Sequence, residues 1–558
     1  MKRAAAILDV AIACGLALAA VLAVSNGFTL DVGAFSIRLH DWMRPSAATA
    51  GLVAIRLWLW SRSRPRTEAT SDAHAWRVAE VALLAVSLSA IGYWVVFLTT
   101  ICGGSDSYGY VSASELISRG RLIEPQPIAA WLPVVNPLDV ATPAGYVAAV
   151  DLTGIAPSYP LGLPVLMAIA QIAFGPLGPY LVPLLCGIVL LLVSSRLAST
   201  WYGPQAGWLA AALVGWDAVV VTYAKQPMSD VPAAMFAVLS MWWLVRPSPL
   251  PLSAGLAAGA SFLTRPGGIG MIAVLAIVAA WPRDSRRRGI TRFLVGLVPF
   301  VVAQALLQWR LFGSPLTSGY GSMTQLFAGG TVWSNLRIYL EGLWTTHSAV
   351  WFAGLVAACL VRSPTPAIVA IAALTISAVP YVLYLEFAHW ETLRFLLPAI
   401  VLLTIAAAGG LASTTARLGN AWIAAAVLVI VAVLPAAQSE RFLRREGVPQ
   451  LMEAESRYPL VAAHLKDRTP ASAIVLAAQH SGSIRHYGDR LTLRWDVLRS
   501  EDLEPLMGAL AERGHPLYVV LEGAEQERFS TRFAAPLRHV RMYPFGQVRN
   551  TQIWELAR

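Results

Sequence analysis

Apolar runs long enough to cross a bilayer alternate with short polar turns along most of this chain. The first, residues 4–24, follows Lys2 and Arg3, and the second, residues 43–60, leads into Arg62, Arg64 and Arg66. About 20 apolar residues span the hydrocarbon core as a helix, and short cytoplasmic loops collect arginine and lysine. The two clusters therefore put the N-terminus in the cytoplasm and send a third run, residues 76–100, outward. No small-x-small cleavage pattern precedes Asn26, so the first run reads as a retained span.

Further spans are expected at 179–196, 205–223, 231–246, 251–263, 267–281, 293–311, 350–361, 367–386, 395–411 and 421–435. Arg196, Arg283, Arg286, Arg287, Arg288, Arg362 and Arg417 then fall in cytoplasmic turns. Residues 158–174 are short for a span, and counting them would move Arg196 outside, so they are read as an interfacial or packed helix. The pattern predicts an α-helical polytopic membrane protein with about 13 transmembrane helices. Residues 1–437 form this domain, with extracytoplasmic loops at 105–178 and 312–348. Pro125, Pro127, Pro133, Pro137 and Pro143 break any long helix in the first of these loops.

The periodicity changes after residue 437. Short β-type runs at 473–476, 491–493, 517–521 and 553–554 alternate with helical stretches such as 502–513. Residues 438–558 are thus expected to form a small extracytoplasmic α/β domain, an accessory lobe without a glycine-rich phosphate loop or nucleophile elbow.

Composition agrees with the pattern. The chain has 558 residues, 56% of them hydrophobic and only 13% charged, and its mean hydropathy is +0.59. The net charge of +10 resides mostly in arginines of short turns, which argues orientation and not a nucleic-acid partner. Cys14, Cys102, Cys186 and Cys359 show neither metal spacing nor a disulfide framework. No cofactor is expected; a divalent metal is left open but is not indicated.

Candidate chemistry gathers on the outer face. Asp106 follows the third span within Gly-Gly-Ser-Asp-Ser-Tyr-Gly-Tyr, residues 103–110, with Tyr108 and Tyr110 beside it. Lys225 and Asp230 lie in one outer turn, Arg265 in the next, Tyr320 in a later loop, and His389, Glu391 and Arg394 in another. Basic residues are disfavoured in outer turns, yet here they recur, and Lys225 is one of only three lysines in the chain. Cations around acids at helix ends suit an anionic lipid headgroup: arginine grips phosphate oxygens with two N–H groups and lysine acts as a point charge. For any one of these residues a snorkelling, headgroup-facing side chain is the plain alternative. Asp217 falls inside an expected span, where a charge is costly, so it is expected to be neutral, paired or near the surface.

With these residues in place the chain resembles the integral-membrane glycosyltransferases of the GT-C superfamily, in the branch of protein O-mannosyltransferases and aminoarabinose transferases. The resemblance covers about residues 80–410. It rests on the Asp106 segment, Tyr-Pro-Leu-Gly-Leu-Pro from Tyr159, Gln-Pro-Met-Ser-Asp-Val-Pro from Gln226, Phe-Leu-Thr-Arg-Pro-Gly-Gly from Phe262, and Arg-Phe-Leu-Leu-Pro from Arg394. It implies Asp106 as catalytic base and Asp230 as a second acid. It also implies transfer of a sugar, with inversion, from a polyprenyl-phosphate donor to a hydroxyl on the extracytoplasmic face. Many members carry Asp-Glu at the first position, whereas Ser107 follows the aspartate here.

Lys225, Arg265, Arg394, Tyr108, Tyr159, Tyr320, His389 and Glu391 are the expected substrate-binding residues. The expected partners are the lipid-phosphate sugar, a glycan, lipid or protein acceptor, and membrane lipid. The expected location is a cell membrane, the inner membrane of a bacterium. A transporter or flippase of a lipid-linked or anionic substrate is the alternative from another class. It would use the same basic cavity, but no internal repeat is visible and the charges gather at one face.

Overall fold

The computed structural model describes residues 28–32, 35–39, 68–281, 286–321, 326–327, 331–361, 363–387, 389–418 and 420–557. The two spans expected before residue 61 lie outside the described residues, as do Arg62, Arg64, Arg66, Arg283 and Arg362. Between those two spans an antiparallel hairpin pairs β1 (Phe28–Val32) with β2 (Phe35–Leu39), which the apolar pattern did not suggest.

Among the described residues six helices are long and apolar enough to cross a membrane, or up to eight if each of two bent pairs is one span. The count of about 13 is not reached there. Asp230–Val245, Pro251–Thr264 and Ile269–Ala279 have 16, 14 and 11 residues. At about 1.5 Å per residue they fall short of a core about 30 Å thick. Residues 162–174 are not isolated: Gly162–Phe174 continues into Gly178–Tyr202 as one apolar stretch of 41 residues. The expected span at 205–223 is broken into Pro204–Gly215 and Ala218–Ala224, bent by 63°. Loop 312–348 contains Val332–Thr346, which meets Ala349–Leu360 at 105°.

The breaks in the two bent pairs are joined to each other. Asp217 caps Ala218–Ala224, its Oδ1 accepting from the Val219 and Val220 N–H groups at 2.9 and 3.3 Å. Its Oδ2 lies 3.1 Å from Nε2 of His347, which separates the second pair. Both side chains are buried, and the Thr346 hydroxyl meets the other imidazole nitrogen at 2.8 Å. The acid inside the apolar run is thus paired, and its cap accounts for the break.

Leu397–Thr415 is the central helix and is almost wholly buried. Gly354 and Gly410 let it approach Ala349–Leu360 closely: a Cβ on Gly410 would lie 2.1 Å from the Gly354 carbonyl oxygen. The outer helices Arg286–Phe312 and Ala421–Arg445 bury far less, and Trp309, Val298, Ile430 and Leu434 stand exposed on them. An apolar face of that extent is stable only against lipid or another apolar surface. Ala421–Arg445 also runs on past the expected domain boundary at residue 437.

The C-terminal domain is a five-stranded sheet in the order β6-β5-β7-β9-β8. β5 (Ile474–Leu476) lies parallel to both β6 (Leu491–Leu493) and β7 (Leu517–Glu522). β9 (Thr551–Ala557) runs antiparallel to β7 and to β8 (Arg541–Val548). The expected strands are present, but β8 lacks a buried alternating face and was not legible as a strand. A smaller antiparallel pair, β3 (Tyr146–Ala148) with β4 (Ile155–Pro157), sits in loop 105–178 and delivers Ser158 and Tyr159.

Candidate active site

Asp106 is the first residue of α1 (Asp106–Ser118), where the positive end of the helix dipole favours a carboxylate. The two preceding glycines are needed for different reasons. Gly104 has φ +60°, a left-handed conformation, while a Cβ on Gly103 would lie 2.0 Å from the Tyr458 ring of the C-terminal domain. The C-terminal domain therefore packs directly on the loop that carries Asp106.

Both carboxylate oxygens of Asp106 are engaged, but loosely on one side. Tyr159 donates its hydroxyl to Oδ1 at 2.6 Å and Ser105 donates at 3.2 Å. Oδ2 faces Nη1 and Nη2 of Arg394, each at 3.4 Å. The acid and the guanidinium are 33% and 26% exposed, so both can be reached by a ligand.

A second acid–arginine pair lies deeper. Arg265 follows Pro251–Thr264, and its Nη1 is 2.7 Å from Oδ1 of Asp230, itself only 2% exposed. Arg265 also donates to the Ser229 hydroxyl at 3.3 Å, and Ser229 accepts from Tyr110 at 2.9 Å. The Arg265 and Arg394 guanidinium carbons lie 5.1 and 5.3 Å from the centroid of the Phe395 ring. Arg394 also lies 5.6 Å from the Tyr223 ring centroid. Ring faces hold cations in place of water and keep them available to an anion.

Of the residues expected here, Asp106, Tyr159, Asp230, Arg265 and Arg394 are brought together. Tyr320 joins at the edge, its ring 5.7 Å from that of Tyr159 and about half exposed. Four others depart. Lys225 is fully buried and donates its ammonium to the Val448 carbonyl at 2.7 Å, so it ties a helix end to the start of the C-terminal domain. Tyr108 is buried away from the carboxylate, against Tyr146 and Gly482, because successive helical residues point to different sides. His389 and Glu391 form a loose exposed pair at 3.7 Å in the turn before Arg394. Phe395, Ser229, Tyr223 and Tyr110 were not assigned to the site from the sequence. Phe395 and Ser229 are direct neighbours of Arg394 and Asp230, and that adjacency was the available signal.

Among the described residues no three His, Cys, Asp or Glu side chains gather so as to hold a metal ion. The cationic groups at the site are guanidiniums.

No family model and no curated protein matches the chain. Solved structures do. ArnT, the aminoarabinose transferase, from Cupriavidus metallidurans bound to undecaprenyl phosphate is similar over 85% of this chain and 97% of its own. The TM-score is 0.54 and the identity 14%. The same protein in the apo state gives a TM-score of 0.52 at 14% identity, over 88% and 98% of the two chains. The apo oligosaccharyltransferase of Archaeoglobus fulgidus gives 0.48 at 12% identity, over 85% and 74%. The likeness to ArnT is one of fold, and it extends over most of the length of both chains.

Proposed function

We propose that the protein is a membrane glycosyltransferase that moves a sugar from a polyprenyl-phosphate donor to an acceptor hydroxyl on the extracytoplasmic face. The observation that carries this reading is the half-open Asp106 carboxylate, oriented by Tyr159 and facing the Arg394 guanidinium. The ArnT structure of like fold contains undecaprenyl phosphate, which supports a lipid phosphate as the donor's leaving group.

In this mechanism the lipid phosphate enters from the bilayer toward Arg394 and Arg265. A phosphate competes for Arg394, whose contacts to Asp106 are long at 3.4 Å. Donor binding thus frees one carboxylate oxygen, while Tyr159 still holds the other in place. The acceptor oxygen attacks the anomeric carbon, its proton passes to Asp106, and the bond from that carbon to the phosphate oxygen breaks. Negative charge then grows on the leaving phosphate, where fixed guanidiniums stabilise it without reorganising. Asp230 is too buried to meet the acceptor and instead aims Arg265.

The deciding experiment uses purified protein and a panel of radiolabelled polyprenyl-phosphate sugars. Release of polyprenyl phosphate that depends on Asp106 supports the reading. Movement of labelled lipid across a vesicle membrane without that release would place the protein with the transporters.

A further inference from the structure

The C-terminal domain contains a crevice that the transfer chemistry does not use. The chain leaves β5 to build β6 on one side, then returns to build β7 on the other. All three strands are parallel, so the loops leaving their carboxyl ends diverge beside β5. In open α/β sheets such a reversal of strand order opens a ligand-binding crevice. Here it coincides with a cavity of about 460 Å³, within the roughly 300–1,000 Å³ of small-molecule sites.

The lining is chemically selective. Arg494 and Asp496, just past β6, hold each other through two N–H groups and present a planar polar edge. Gln479, just past β5, is exposed. Glu525 is held in place, because its two oxygens accept the backbone N–H groups of Gln479 and Glu522 at 3.3 and 3.1 Å, and it keeps its negative charge. Arg528 and Arg532 stand one helical turn apart in α2 (Glu525–Arg532). Both are exposed and neither forms an ion pair among the described residues; Arg532 donates only its Nε, to the Leu498 carbonyl. The Trp495 indole, which also lines the cavity, has a buried Nε1 without a hydrogen-bond partner. Arg494 and Asp496 pair with each other and Glu525 offsets one further charge, so the lining is net positive by one, with the two unpaired arginine forks as its cationic groups.

We infer that this crevice binds an anionic saccharide, the sugar ring on Gln479 and the Arg494–Asp496 edge and the anionic group on Arg528 and Arg532. Its position assigns that saccharide to the acceptor. Ala144 lines the cavity, and the next residue, Gly145, packs so tightly on the Asp106 loop that a Cβ there would lie 2.7 Å from the Ser105 carbonyl oxygen. Gln479 Oε1 is 3.8 Å from where a Cβ on Gly104 would stand. The crevice thus opens beside the segment that carries the proposed base, on the C-terminal domain and away from the arginines that face the donor. The assignment to the acceptor rests on the glycosyltransferase reading; the binding does not.

The test uses the full chain in nanodiscs of neutral lipid, with glucose 1-phosphate, methyl glucoside and inorganic phosphate as probes and binding read by saturation-transfer NMR and calorimetry. Glucose 1-phosphate should bind more tightly than either of the others. Arg528→Ala/Arg532→Ala, an exposed change, should weaken it by about tenfold or more, the size of a lost charge-assisted contact. Gln479→Ala should weaken glucose 1-phosphate and leave inorganic phosphate unchanged. Equal affinity for phosphate and glucose 1-phosphate would overturn the saccharide assignment. Unchanged affinity in the double arginine variant would overturn the site. Competition by polyprenyl phosphate would reassign the crevice to the donor. Asp106→Asn should bind glucose 1-phosphate normally, so a failure of the catalytic reading leaves this result standing and can be told from it.

Discussion

Arg265 and Arg394 share the ring of Phe395, their guanidinium carbons 5.1 and 5.3 Å from its centroid. Two like charges so close repel each other, and each is offset by its own acid, Asp230 for the first and Asp106 for the second. The pairs differ in openness: Asp230 is 2% exposed and Asp106 is 33% exposed. That difference separates a positioning acid from one able to meet a substrate.

Asp106→Asn keeps the size of the side chain but removes the proton acceptor. Turnover in the lipid-phosphate release assay should fall by about 10²–10⁴-fold, the usual worth of a general base, with donor affinity retained or improved. Asp230→Asn should lower donor affinity more than turnover, because it loosens Arg265. Normal transfer by both variants would refute the mechanism.

Tyr159→Phe removes the 2.6 Å hydrogen bond that orients Asp106. It should lower turnover by about tenfold with little change in donor affinity, as measured by initial rates over a range of donor concentrations. A loss confined to donor affinity would place Tyr159 on the lipid phosphate instead.

Lys225 and Arg265 should separate cleanly. Arg265→Ala should weaken polyprenyl-phosphate binding, and Arg265→Lys should restore only part of it, because the planar fork is lost. Lys225→Ala should leave binding unchanged and lower the midpoint of thermal unfolding, since its ammonium serves the Val448 carbonyl. A hydrogen bond from a charged group contributes roughly 1.5–3 kcal/mol.

Acid should loosen the C-terminal domain in a defined window. Burial raises the Glu522 carboxyl, but the hydrogen bond from His480 and the charge of Arg457 outweigh it and hold the group at about 2, against 4.5 ordinarily. A carboxyl depressed in the folded state stabilises it above its unfolded pKa, and that stability is lost as pH falls from 4.5 toward 2. Hydrogen exchange at the β7 amides should therefore quicken across that range in the native chain, and Glu522→Gln should flatten the response.

Sidedness is open to a direct measurement. Cysteines introduced at Ser318 and Ser530 should react with an impermeant thiol reagent in intact cells, and one at Ser285 should not. Labelling of Ser285 alone would reverse the arrangement and put Asp106 in the cytoplasm.

The sequence by itself determined the class of molecule, the change of architecture near residue 440 and the prominence of Asp106, Arg265 and Arg394. Hydrophobic length and charge placement act locally along the chain, and a glycine pair before an acid is visible without a partner. Tertiary structure alone decided which helices stop short of a bilayer. Asp230–Val245 and Ile269–Ala279 are as apolar as the longer helices, but they end after 16 and 11 residues, with most of those residues buried in the protein. It also decided where side chains of similar chemistry point. Lys225 and Arg265 look alike as cations in outer turns, yet one turns to the Val448 carbonyl and the other to Asp230. The pairing of Asp217 with His347 across 130 residues, and the crevice beside β5, belong to the same category. Each is made by groups distant in the chain, and no local pattern records which of them will meet.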